Sequence, residues 1–78
     1  MEAAFRRFYE ELMALAREGV PAEVIAGKIR RAVPDPESRK SLVGHLRDSR
    51  DAFEREGHDG PAAILGQVVA SLEGPPGP

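Results

Sequence analysis

Residues 33–46 read VPDPESRKSLVGHL, and the punctuation in their first half decides the fold. Pro34 ends whatever helix precedes it, because a proline pushes the residue before it out of helical conformation. Asp35 is suited to cap the free amides of a new helix. Pro36 has the φ of a first helical position, and Glu37 favours the positive end of the helix dipole. Leu42, Leu46 and Phe53, with Val43 alongside, then recur at helical spacing. This predicts a helix over residues 36–56, ended by Gly57.

The same kind of punctuation divides the rest of the chain. Towards the N-terminus, Ile25, Ile29 and Val33 share one side of a helix predicted over 21–33, opened by Pro21. Before it, Phe5, Phe8, Leu12 and Leu15, broadened by Tyr9, Met13 and Ala16, form the stripe of a helix over 2–18, with Gly19 at its end. After Gly57, the run Asp59-Gly60-Pro61 opens a helix over 61–73 with Ile64, Leu65, Val68, Val69 and Leu72 inward. No segment alternates with the period of a strand. The expected fold class is all-α, a small bundle of four helices forming a single domain over 1–74. The tail 75–78 is rich in Gly and Pro and is expected to be disordered.

Composition narrows the function. A chain of 78 residues has a thin stability margin. With no cysteine, disulfides and thiolate metal sites are excluded, and a count of two histidines argues against a histidine-rich metal site. The net charge of −2 argues against a polybasic binder of nucleic acid or membrane. The N-terminal MEAAFRRFYEEL lacks the apolar core of a signal peptide, and no apolar run approaches the ~20 residues of a membrane span. A soluble, cytoplasmic chain with no membrane partner is expected. No Gly-x-Ser-x-Gly, phosphate-cradling loop or Ser/His/Asp grouping is visible. Glu10 and Glu11 point in different directions on a helix, and His58 beside Asp59 reads as loop structure. Hence the chain reads as non-catalytic, with no cofactor, metal or small-molecule substrate expected.

Charge is unevenly distributed. Residues 28–50 hold seven basic groups against three acidic ones, whereas residues 51–78 hold one against five. On the wheel of the 36–56 helix, Lys40 and Arg47 point outward and Arg39 and Arg50 lean to the apolar side. Arg47–Asp51, Arg50–Glu54 and Asp51–Arg55 stand at i,i+4 spacing, which predicts ion pairs within the helix. The remaining basic surface, Lys28, Arg30, Arg31, Lys40 and Arg47 with Gly44 allowing close approach, is read as a docking face for an acidic protein partner.

Residues 60–72 contain no charge at all. Ala62, Ala63, Gly66 and Ala70 form a smooth small-residue face opposite the apolar one, and Gly66 costs a helix about 1 kcal/mol relative to alanine. A helix uncharged all round is normally buried. Self-association as a homodimer through Ala62, Ala63, Gly66 and Ala70 is therefore expected. Gly27 and Gly44 also lie mid-helix, opposite their apolar stripes. Phe5, Phe8 and Tyr9 are expected to complete the core.

A second reading starts from a resemblance. Gly19-Val20-Pro21-Ala22-Glu23-Val24-Ile25-Ala26, with Ile29, resembles the scaffold helix of helix-turn-helix regulators. SRKSLVGHLR, residues 38–47, is similar to the recognition helix of the quorum-sensing-regulator type, with its Ser-x-Lys-Thr-Val-x-x-His-Leu pattern. The resemblance implies a DNA-binding regulator with Ser38, Arg39, Lys40, Ser41 and His45 near the groove or the phosphates. The connection between the two helices is about six residues longer than that motif's tight turn, which alters the angle on which groove docking depends.

Overall fold

The computed structural model describes residues 3–73. The expected Gly/Pro tail at 75–78 lies outside the described residues. Four helices follow one another: α1 (Ala3–Arg17), α2 (Ala22–Ala32), α3 (Pro36–Arg55) and α4 (Asp59–Glu73). Together they make a compact four-helix bundle. Among the described residues no helix is long and apolar enough to cross a membrane.

The helix ends are built as the punctuation predicts. Gly19 and Gly57 have φ of +81° and +82°. Each closes a Schellman turn: the Gly19 amide donates to the Ala16 carbonyl and Val20 to Leu15, and likewise Gly57 to Glu54 and His58 to Phe53. The second turn carries a side-chain contact as well, with the His58 ring edge-on to Phe53 at 6.0 Å between centroids. α4 begins at Asp59, two residues earlier than expected. Pro61 is tolerated in the first turn because the amides there have no intrahelical acceptor to lose. Pro21 is the N-cap of α2 and lies just before the helix.

α4 is the element that organises the bundle, since it packs against α3, α2 and α1 in turn. Its Leu65, Val68 and Val69 meet Leu12 and Ala16 of α1, Ile25, Ala26 and Ile29 of α2, and Leu42, Leu46 and Phe53 of α3 in one core. That position accounts for the absence of charge between its two acidic end residues, Asp59 and Glu73: the middle of a central helix has no broad solvent face to carry one. The molecule measures 37 × 32 × 19 Å, and 19 Å is about two helix diameters. α4 is therefore covered on most sides and keeps one narrow exposed line, Ala63, Gln67 and Ala70. Phe5, Phe8, Leu15, Val33, Ile64 and Leu72 are only half-buried at the margins of this thin layer. Val24 is the one large apolar residue left in solvent among the described residues, at 53% exposed.

Candidate partner-docking groove

The start of α3 is fixed by its own polar side chains. The carboxylate of Asp35 accepts from the Ser38 amide and from the Ser38 hydroxyl, both at 2.9 Å. Arg39 folds back over the linker, donating from Nε to the Val33 carbonyl and from its terminal nitrogen to that of Pro34, each at 3.2 Å. The bonds from Ser38, amide first, hold the Asp35 carboxyl below the usual carboxylate range, and the nearby Arg39 charge acts in the same direction. Because the charged form is favoured in the folded chain, this cap stabilises fully above the ordinary pKa of about 4. The stabilisation is lost as pH falls through the lower folded value. Asp35→Asn, which keeps a capping oxygen, should retain most of the thermal stability at pH 7. It should also flatten the fall in melting temperature between about pH 4 and pH 2, measured by circular dichroism.

Beside this fixed start lies a groove of about 460 Å³ between α3 and the end of α4. Arg39, Lys40 and Arg47 supply its cationic rim, and Val43 and Leu72 its apolar floor. Gly44 lies between Lys40 and Arg47. A Cβ placed there would have no atom within 4 Å, so the surface over Gly44 is open. Arg47 reaches across to Glu73 of α4 and forms an ion pair with it, both side chains being about half exposed (47% and 46%). Arg30 braces the same end of α4 from the other side. Its guanidinium donates to the Ser71 carbonyl at 2.6 Å and the Ser71 hydroxyl at 3.0 Å, satisfying a terminal carbonyl and opposing the negative end of the helix dipole.

Lys40, Gly44 and Arg47 thus come together on one groove, whereas Arg30 is not among the residues that line it and instead bonds Ser71 of α4. Lys28 is elsewhere, paired with Glu11 of α1 at 2.6 Å. Arg31 is exposed, with no ion pair among the described residues. The pairing pattern expected within α3 is not the one that forms. Arg47 pairs with Glu73, and Arg50 pairs with its neighbour Asp51 at 3.2 Å. A carboxylate on a neighbouring helix, which no reading of α3 alone includes, competes for Arg47. Arg50 instead lies across α4, its Cδ 3.5 Å from the position of a Cβ on Gly66.

The small residues of α4 divide in the same way. Ala62 is buried, 3% exposed, within the core, and not on an outer face. Gly66 is half-covered beneath Arg50, and Ala63 and Ala70 are exposed. With three helices around α4, the face drawn on an isolated wheel is partly occupied by the chain itself.

Of the residues singled out by the helix-turn-helix resemblance, Ser38 and Arg39 are engaged in the α3 cap and linker. His45 stands edge-on to the rings of Phe5 and Tyr9, at 6.1 Å from each. Lys40 and Ser41 are exposed. α2 and α3 each pack chiefly on α4.

Beyond the Lys28–Glu11 pair and the bonds of Arg30 and Arg39, two features were not foreseen from sequence. Glu73 as the partner of Arg47 is one. The other is the junction of α1 with α3, where Tyr9 donates to the His45 carbonyl at 2.8 Å and also bonds the Ser49 hydroxyl. Burial pushes the Tyr9 phenol above its ordinary pKa; the Ser49 bond opposes this and the Asp48 charge adds to it. Among the described residues no three His, Asp or Glu side chains form a group able to hold a metal ion. What the groove offers chemically is a set of cations over an apolar floor. Compared with known protein families, with curated proteins and with solved structures, the chain has no match.

Proposed function

We propose that the protein is a small, cytoplasmic, non-catalytic interaction module, a regulator, adaptor or inhibitor, that docks an acidic protein partner through the α3–α4 groove. The observation that carries this reading is the convergence of Lys40 and Arg47 on a groove floored by Val43 and Leu72 and left open at Gly44. Cations there would raise the encounter rate with an acidic partner, and the apolar floor would supply the contact area that lengthens the complex. Self-association is a second function of the same module, favoured by the uncharged exposed line Ala63, Gln67 and Ala70 on α4.

The test is recovery of partners by the tagged protein from its own cells, with the Lys40→Glu/Arg47→Glu double variant beside the wild type. Arg6→Glu/Arg7→Glu, on exposed α1 surface, changes the net charge equally and serves as the charge control. Recovery is expected to fall at least about ten-fold in the double variant, as for opposed charges at a rim, and to survive in the control. Equal recovery by all three would end the groove reading. Retention of duplex DNA by the wild type at low salt, lost steeply as salt rises, would favour the helix-turn-helix alternative.

A further inference from the structure

The docking reading leaves open what kind of acidic segment the groove takes, and the Arg47–Glu73 pair bears on that question. Glu73 is the last described residue of α4 and its carboxylate sits on a cation at the rim of the groove. Both members of the pair are about half exposed. Such a pair contributes little to the fold, is weakened by salt and can be reached from solvent. The last turn of α4 does not depend on it, because Arg30 holds Ser71 separately by two hydrogen bonds.

We propose that the groove recognises an acidic peptide segment of a partner protein, and that Glu73 is the internal competitor for that segment's carboxylate. The inference rests on the docking role proposed above. Docking then proceeds by exchange: a carboxylate of the partner takes Glu73's place on Arg47 while Arg30 keeps the end of α4 in position. Lys40 lies two turns before Arg47 on α3, about 10 Å along the helix axis, and receives a second carboxylate. Between them an apolar side chain passes over Gly44, where no side chain intervenes, and lies against Val43 and Leu72. The partner segment therefore carries two acids about 10 Å apart with a leucine-like residue between them. Exchange of one half-exposed carboxylate for another makes docking weak on Arg47 alone. Selectivity rests on adding Lys40 and the floor.

Fluorescence anisotropy of a labelled synthetic hexapeptide, Glu-Asp-Leu-Glu-Asp-Leu, measured at low ionic strength, tests this. The variants are Glu73→Gln, Arg47→Gln, the double variant of both, and Glu11→Gln. The last relieves Lys28 of its partner on another face and changes net charge equally. Circular dichroism establishes that each is folded. The expected result is that Glu73→Gln tightens binding about two- to five-fold, the range of an exposed ion pair. Arg47→Gln should weaken binding, Glu11→Gln should leave it unchanged, and Glu73→Gln should add nothing in the Arg47→Gln background. Arg47-dependent binding that Glu73→Gln does not tighten would overturn the competitor role and leave the docking groove standing. Tightening by Glu11→Gln as large as that by Glu73→Gln would overturn it too, as an effect of net charge. No binding by the wild type or by Glu73→Gln would overturn both readings.

Discussion

Leu65→Ala is expected to remove about 3 kcal/mol of stability and to lower the melting temperature by more than about 10 °C. Leu65 is fully buried on α4, the helix that meets the other three, so the three side-chain carbons it loses, Cγ and the two Cδ methyls, leave a cavity bounded by several elements at once. Such a site relaxes poorly, because closing the gap would require more than one helix to shift. A domain of 78 residues holds only about 4–12 kcal/mol in total, so a quarter or more of the margin depends on this side chain. Urea denaturation followed by circular dichroism measures it. Val24→Ala, at a site 53% exposed, should shift the midpoint by far less. Equal effects at the two sites would show that α4 is not the centre of the core.

Ala62→Glu is expected to leave the chain largely unfolded at neutral pH. Ala62 lies in the core, and a carboxylate introduced there must either be buried without a partner or force α4 off its neighbours. Losses of more than about 4 kcal/mol follow from such burial. Ala63→Glu, one residue on and exposed, should keep the fold within about 0.5 kcal/mol. Far-ultraviolet circular dichroism and one-dimensional proton spectra distinguish the two. A folded Ala62→Glu would place the residue on an outer surface. Sedimentation of folded Ala63→Glu against the wild type reads the self-association proposal without disturbing the core.

The two substitutions mark where legibility in the sequence ended. Apolar spacing and helix-end chemistry are local properties, so Pro34, Asp35, Gly19 and Gly57 located the breaks between helices within about two residues. The helical wheel also placed Lys40 and Arg47 outward and Arg39 and Arg50 at the boundary, as observed. It failed at Ala62, because a wheel treats one helix alone and cannot show that three neighbours enclose α4 over most of its circumference. It failed again at Arg47. The i,i+4 rule ranks carboxylates within a helix, whereas Glu73 arrives from another helix 26 residues later.

The amino-acid sequence by itself determined the class of the fold, the four helices and the sides on which their apolar residues lie, since these follow from periodicity and from the chemistry of helix ends. Only the tertiary structure decided that the helix with no charge over residues 60–72 is the central one, that Ala62 belongs to the core, and that Lys40, Gly44 and Arg47 share a groove with Leu72 and Glu73. Those outcomes depend on which helix faces are brought together across many residues. Contacts of that kind are set by the packing of the whole bundle, and no local pattern encodes them.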